Sequence, residues 1–222
     1  SLSGGVGTDY LYGDEGNDSL SGGMENDNLY GEDGNDVLNG DKGDDYLYGN
    51  AGNDTFVFNR GDGHDIVYSY DQSYDTNLNQ YVYGVGVDVI QLGADITPND
   101  VVLRRSGDDL YIYLNEVSGT ADSIRVVQHF TTDSNSGYYQ IDEIRFADNT
   151  VWNVSEIENR ALLATEDADL LYGNDNANLI DGLGGNDSIE GRAGDDTLIG
   201  GTGNDDLSGE QGNDSLSGGV GT

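Results

Sequence analysis

Large apolar residues recur at every ninth position over the first 57 residues: Leu11, Leu20, Leu29, Leu38, Leu47 and Phe56. An Asp stands two places before each (Asp9, Asp18, Asp27, Asp36, Asp45, Asp54), after turns opening at Gly4, Gly13, Gly22, Gly31, Gly40 and Gly49. A unit with about six residues of turn and three of strand is too short to fold alone, so neighbouring units must stack. The pattern predicts a flattened solenoid with two units per coil, one strand on each side and a turn at each edge. Each coil advances ~4.8 Å. The apolar side chains then point inward as a thin core, and every Asp falls into a column.

The same spelling returns at turns starting at Ala164, Gly173, Gly182, Gly191, Gly200 and Gly209. Their sixth places hold Asp169, Asn178, Asp187, Asp196, Asp205 and Asp214, and their eighth places Leu171, Ile180, Ile189, Leu198, Leu207 and Leu216. The first two are degenerate: one lacks its opening glycines, and the other carries Asn178 in place of Asp. The chain therefore divides into a repeat block over 1–57, an insert over 58–163 and a second block over 164–222.

The insert has a different texture, richer in β-branched and aromatic residues. Strands are predicted at Thr55–Phe58, Ile66–Tyr70, Val87–Leu92, Val101–Arg105, Leu110–Asn115, Ser123–Phe130, Ile141–Phe146 and Thr150–Val154. One helix is predicted over Ser155–Ala164, with Ser155 as N-cap and Glu158 three residues on. The expectation is a compact β-rich segment packed against the end of the first block.

Charge turns this pattern into chemistry. The net charge is −35, from 43 Asp and Glu against 8 Lys and Arg, and 35 of the 222 residues are Gly. Such acidity ordinarily disorders a chain by self-repulsion, yet here the apolar residues are strictly periodic. Columns of carboxylates spaced by one coil need a cation. The donors are oxygens, and Ca²⁺ accepts six to eight of them with loose geometry, whereas Mg²⁺ demands a tight octahedron. Calcium is the expected ion, and its binding is expected to supply much of the folding free energy. A lone Gly-Asn-Asp would be read as an ordinary turn; aligned columns of like charge are not.

The same inventory excludes other classes. Without a basic face there is no nucleic-acid partner. Without Cys there are no disulfides or thiolate sites, and two His, at 64 and 129, do not make a zinc centre. No apolar run is long enough to span a membrane, so no membrane insertion is expected. There is no signal peptide, and the absence of an initiator Met reads as an excised segment. No pair of carboxylates stands apart as catalytic, and no enzyme activity is expected; His64 and His129 read as turn and strand residues. The sequence SLSGGVGT occupies both 1–8 and 215–222. Resuming at Asp9 after Thr222 would keep the nine-residue register, which predicts one period of a head-to-tail tandem array.

The consensus resembles the haemolysin-type calcium-binding repeats of RTX proteins, GGxGxDxUx. The insert is similar to the β-rich segments that follow such repeats, through RGDGHDIVYSYD and DEIRFADNTVW. The resemblance implies an all-β fold: a right-handed parallel β-roll in two blocks. It implies one ion between each turn and the turn two units later on the same edge. The earlier turn gives its second and fourth carbonyls and its Asp; the later turn gives its first and third carbonyls and its Asp. On this chain the first ion would take Gly5, Gly7 and Asp9 with Gly22, Met24 and Asp27. A second would take Asp14, Gly16 and Asp18 with Gly31, Asp33 and Asp36. A third joins Gly23, Glu25 and Asp27 to Gly40, Lys42 and Asp45, and a fourth joins Glu32, Gly34 and Asp36 to Gly49, Ala51 and Asp54. A turn shifted by two residues, Gly61 to Asp65, would close a fifth with Asp41, Gly43 and Asp45.

In the second block the implied sets are Leu183, Gly185 and Asp187 with Gly200, Thr202 and Asp205, and Arg192, Gly194 and Asp196 with Gly209, Gln211 and Asp214. Thr165, Asp167 and Asp169 with Gly182, Gly184 and Asp187 would come next. The set from Asn174, Asn176 and Asn178 to Gly191, Ala193 and Asp196 should be weaker or empty. Gly84–Asp88 is either a further calcium turn or a strand entry.

The functional expectation is a calcium-loaded structural or adhesive segment of a secreted bacterial surface or matrix protein, exported by type I secretion and folding outside the cell. Two rivals are an accessory module of a secreted enzyme or toxin and a carbohydrate-binding module. For the last, surface glycans would stack on Tyr68, Tyr70, Tyr74, Tyr81, Tyr83, Tyr138 and Tyr139.

Overall fold

A computed structural model describes residues 1–70, 72–75, 80–83, 86–114, 122–131 and 139–221. The chain forms two compact units, Ser1–Val102 with Asp108–Ile157, and Leu103–Gly107 with Glu158–Thr222.

In the first unit, the repeat pattern yields β1 (Leu2–Val6), β2 (Tyr10–Tyr12), β3 (Ser19–Met24), β4 (Asn28–Asp33), β5 (Val37–Lys42), β6 (Tyr46–Ala51), β7 (Thr55–Phe58) and β8 (His64–Tyr68). Odd strands pair in parallel on one side and even strands on the other, with Leu20 opposite Leu38 and Leu29 opposite Leu47. Two units therefore make one coil. The eighth-place residues Leu20, Leu29, Leu38, Leu47, Phe56 and Val67 are at most 1% exposed, while Leu2 in the outermost rung is 36% exposed. Each coil thus buries only two large side chains.

The insert prolongs both sheets. It contributes β9 (Gln72–Asp75), β10 (Gln80–Tyr83), β11 (Val89–Leu92), β12 (Val101–Ser106), β13 (Asp109–Leu114), β14 (Ser123–Val126), β15 (Glu143–Arg145) and β16 (Val151–Asn153). Strand β11 adds in parallel to β7 and β15 to β11, setting Phe56, Ile90 and Ile144 in one row. On the other side β14 adds in parallel to β8, setting Val126 beside Val67. Each sheet then meets an antiparallel partner, β16 on β15 and β13 on β14. Strands β9 and β10 form a separate antiparallel pair.

Boundaries differ from the sequence reading by one or two residues at β8, β11, β12, β13 and β16, the helix ends at Ala161 and not Ala164, and three differences have a local cause or consequence. Ser123–Phe130 ends as a strand at Val126, because Gln128 adopts a φ of 59° and a turn follows in which Thr131 N–H reaches the Gln128 carbonyl. The sequence reading carried a strand through Ile141–Phe146, but only Glu143–Arg145 pairs. The helix α1 (Val154–Ala161) starts one residue early. Asn153 Oδ1, rather than Ser155, takes the Glu156 N–H at 3.1 Å, satisfying a free helix-end donor.

In the second unit β17 (Leu170–Tyr172), β19 (Ser188–Glu190) and β21 (Asp206–Ser208) form one parallel sheet, and β18 (Leu179–Asp181), β20 (Thr197–Ile199) and β22 (Ser215–Ser217) the other. Leu171, Ile180, Ile189 and Leu198 fill its core.

On the outer face of the even strands, Tyr12, Tyr30, Tyr48 and Tyr68 stack ring on ring, with centroids 4.6–4.8 Å apart and planes within 8°. Ring spacing equals strand spacing because the rings ride the same rungs. Tyr70 and Tyr139 sit 5.0 Å apart in a tilted pair. Tyr138, Gly84 and Val85, and the side chains of Tyr74, Tyr81 and Tyr83, lie outside the described residues.

Candidate metal centre

The turns owe their shape to left-handed residues at the second and fourth places. Gly5 and Gly7 have φ of 100° and 110°, and Gly23 and Glu25 have 119° and 75°. Non-glycine residues accept the same strain at Asp14, Glu32, Asp41, Leu183 and Arg192, with φ between 62° and 74°. Left-handed backbone costs an L-residue roughly 1–2 kcal/mol, so the turn geometry is enforced rather than incidental.

Neighbouring turns bond directly to one another. Gly7 N–H donates to Met24 O at 3.2 Å, Gly16 N–H to Asp33 O at 2.7 Å, and Gly34 N–H to Ala51 O at 2.8 Å. In return Asp33 N–H donates to Asp14 O, Thr202 N–H to Leu183 O, and Gln211 N–H to Arg192 O. The structure thus brings second-, third- and fourth-place residues of turns two units apart face to face. Each carbonyl keeps a second lone pair.

The sixth-place Asp residues form the columns. On one edge Asp9 N–H donates to Asp27 Oδ1 at 2.7 Å, Asp27 N–H to Asp45 Oδ1 at 2.7 Å, and Asp45 N–H to Asp65 Oδ1 at 3.0 Å. On the other, Asp18 N–H reaches Asp36 Oδ1 at 2.7 Å and Asp36 N–H reaches Asp54 Oδ1 at 2.8 Å. The second roll repeats this from Asp187 to Asp205 and from Asp196 to Asp214, at 3.0 Å each.

Oδ1 of each accepting carboxylate is therefore committed to the turn two units before it, and the other oxygen turns inward. Oδ2 of Asp9, Asp27, Asp36, Asp45, Asp65, Asp187, Asp196 and Asp205 is buried and accepts no hydrogen bond. What surrounds that oxygen is shown by the first glycine of each turn. A Cβ built on Gly4 would lie 2.5 Å from Asp9 Oδ2 and 2.7 Å from Gly22 O. At Gly31 the same atom would meet Asp36 Oδ2 at 2.5 Å and Gly49 O at 2.7 Å, and at Gly182 Asp187 Oδ2 at 2.5 Å and Gly200 O at 2.7 Å. A carboxylate oxygen of one turn and the first carbonyl of the turn two units on thus converge on a spot that only glycine leaves open. Among the described residues no three His, Cys, Asp or Glu side chains gather around one point. A cation here must rely on main-chain oxygens beside two carboxylates, the donor set of a hard ion such as calcium and not of zinc.

Burial without a counter-charge penalises the ionised form. It pushes the carboxyls of Asp27, Asp36 and Asp187 above their ordinary value, Asp45 to about 6 and Asp65 to about 9, the backbone N–H bonds offsetting part of the effect. Asp62 is likewise raised to about 6, first by burial, with Asp41 and Asp122 adding like charge.

Two consequences have opposite signs. Without metal the folded chain binds more protons than the unfolded one, so the first roll loses stability as pH rises from about 4 through 6 to 9. With metal, protons compete for the same oxygens, so calcium affinity rises with pH. Calorimetric titration at pH 5 should show roughly tenfold weaker binding at the sites holding Asp45 than at pH 8; pH-independent affinity would contradict these carboxylates being ligands.

The profile described as "RTX calcium-binding nonapeptide repeat (4 copies)" matches residues 1–29, 21–56, 30–67, 163–198 and 190–222, together more than half of the chain. The chain is an RTX calcium-binding repeat protein. The insert matches the "Haemolysin-type calcium binding protein related domain" over residues 109–156. Among curated proteins, the iron-regulated protein FrpA of Neisseria meningitidis serogroup C is 37% identical over 111 residues, 50% of this chain. The match spans only 9% of FrpA. Two solved structures align weakly, each at 19% identity. The AlgE6R3 subunit of the Azotobacter vinelandii mannuronan C5-epimerase has a TM-score of 0.25, with 61% of this chain and 81% of that one covered. The extracellular lipase LipA of Serratia marcescens has a TM-score of 0.30, with 95% and 29% covered.

With the RTX register in hand, the columns prove longer than the nonapeptides. The Asp54 N–H donates to Asp88 Oδ1 at 2.9 Å, and the Asp88 N–H to Asp142 Oδ2 at 2.8 Å. Asp88 and Asp142 thus take column places inside the insert, 34 and 54 residues on rather than 18. The one sequence signal was Gly86-Val87-Asp88 ahead of β11. At the shifted turn, Gly43 lies opposite Gly63 and donates its N–H to Asp62 O at 2.7 Å, placing Asp41, Gly43 and Asp45 against Gly61–Asp65 across 20 residues instead of 18. His64, read from the sequence as a turn residue, instead opens β8, exposed, with its Nδ1 2.9 Å from Ser123 Oγ.

Proposed function

We propose that this chain is a calcium-gated structural segment of a secreted bacterial surface or matrix protein, and one period of a tandem array. The ligand sets assigned to each ion in the sequence belong to this proposal. RTX proteins are generally secreted, and no helix among the described residues is long and apolar enough to cross a membrane. At the low calcium of a cytosol the anionic chain stays extended and fits a narrow export channel. At the millimolar calcium outside, the ions neutralise the columns and the coils stack.

The observation that carries the array is the octapeptide SLSGGVGT, which stands at 1–8 and again at 215–222. Gly201, Gly203 and Asp205 face Gly218 to Gly221, where Thr202 pairs with Val220. If a second copy resumes at its Asp9, that Asp completes this set. Glu210, Gly212 and Asp214 then meet the second copy's Gly13, Glu15 and Asp18.

A chain of 1–222 fused directly to 9–222 is therefore expected to bind two calcium ions more than twice the single chain, counted by isothermal calorimetry. A count that merely doubles would show that the register does not run through the junction.

A further inference from the structure

The first two turns of the second roll are built differently from those that follow. In the turns at Gly182, Gly191 and Gly200, the inward oxygen (Oδ2 of Asp187, Asp196 and Asp205) accepts no hydrogen bond. In the turn at Ala164 the corresponding Asp169 Oδ2 accepts two, from the Thr165 N–H at 2.5 Å and the Thr165 hydroxyl at 2.9 Å. In the turn at Gly173, Asn178 Oδ1 is the atom nearest a Cβ built on Gly173, the place Oδ2 holds elsewhere. It accepts the Asn174 N–H at 2.8 Å, and Asn178 Nδ2 donates to Asn174 Oδ1 at 3.1 Å. Both turns thus draw from their own second residue the donors that the later turns lack.

No turn of the second roll precedes these two, and two arginines of β12 stand there. Arg104 Nε lies 3.8 Å from Asp169 Oδ1, and its Nη1 donates to Leu163 O at 2.7 Å. Arg105 is 5% exposed; its Nη1 donates to Gly173 O at 3.0 Å and its Nε to Gly107 O at 2.9 Å. Its guanidinium also sits 5.9 Å from the Tyr172 ring centre, as does that of Arg192. A first-place carbonyl and a sixth-place Asp are the groups a later turn would turn toward an ion, and here each meets a guanidinium. With 8 Lys and Arg in the chain against 43 Asp and Glu, placing two adjacent arginines at this end is specific. Arginine suits the task because it holds its charge when buried and donates in a fixed fork.

We propose that Arg104 and Arg105 act as built-in cations closing the N-terminal end of the second roll, so that its turns at Ala164 and Gly173 form without calcium. Calcium loading then begins with the pairs Gly182–Gly200 and Gly191–Gly209. The metal-free coil presents a finished edge on which the later coils assemble. This inference rests on calcium-driven folding as proposed above.

Amide hydrogen exchange on the full chain tests it. In chelator, the amides of Gly173 and Ser188, bonded to Glu190 O and Asp169 O, should stay protected. Those of Gly200 and Ser215, bonded to Ser217 O and Asp196 O, should exchange freely. Replacing both arginines (Arg104→Met, Arg105→Met) should cut chelator protection at Gly173 and Ser188 by at least about tenfold. Saturating calcium should restore it, and Arg105→Lys should lose less than Arg105→Met. Equal, fast exchange of all four amides in chelator, with full protection in calcium, would overturn the cap. So would unchanged protection in the double variant. Full protection of all four in chelator would instead contradict calcium-driven folding itself. The wild-type comparison stands without any variant.

Discussion

Stripping calcium from the chain with excess chelator abolishes most of its far-UV β signal and expands it toward the ~50 Å radius of gyration of an unfolded chain of this length. Each coil of the rolls buries only two large side chains, such as Leu29 and Leu38, against the ordering of about eighteen residues, each costing of order 1–2 kcal/mol of backbone entropy. Without a cation, the inward oxygens of Asp27, Asp36, Asp45 and Asp65 would be buried charges with no donor, stacked at the ~4.8 Å strand spacing. What β signal survives should come from the far end of the first unit, where Ile112, Ile124, Ile144, Phe146 and Trp152 make a more conventional core, and from the arginine-capped first coil of the second roll. Circular dichroism and small-angle scattering in calcium and in chelator give the answer. An unchanged spectrum in chelator would mean the rolls hold themselves up.

Asp36→Ala removes two ions with one substitution. Asp36 is 1% exposed, its Oδ1 accepts the Asp18 N–H, and its Oδ2 faces the Gly31 α-carbon and Gly49 O. One oxygen thus addresses the turn below and the other the turn above. The variant should bind two calcium ions fewer by calorimetry, and the calcium midpoint of folding should rise several-fold. The vacated Asp18 N–H adds about 1–3 kcal/mol of lost stability as a buried donor without acceptor. Asp14→Asn is the control: Asp14 is exposed and left-handed, with a φ of 63° that Asn tolerates, and only its carbonyl is asked for. It should lose no ion. Loss of no ion from Asp36→Ala, or of one or more from Asp14→Asn, would show that the ligand register is misplaced.

The roll was legible because its signal is redundant: Leu20, Leu29, Leu38 and Leu47 each report the same period, and the pairing keeps them in rows. Reading stopped where the period stopped. Asp88 and Asp142 hold the same column place as Asp54, but the chain between them leaves the coil and returns, so no fixed spacing exposes them. Likewise Ile90 and Val126 continue the core rows from strands that look like ordinary β segments. Asn153 rather than Ser155 caps the helix, a two-residue difference that propensity does not resolve, since both side chains cap well. Arg104 and Arg105 gave no signal at all, because an alternating strand with two adjacent cations reads as a solvated face until the fold brings Asp169 and Gly173 beside it.

The change from parallel to antiparallel at β15–β16 and at β14–β13 breaks the repeat on both sides of the first roll. A parallel rung reproduces the template it was laid on, so a stack of such rungs has no intrinsic length. A reversed strand puts alternating close and wide hydrogen-bond pairs in place of the evenly spaced, slanted bonds of the parallel rungs. The length of the coil is thereby set by where its last strand turns round, not by how many rungs its period would allow.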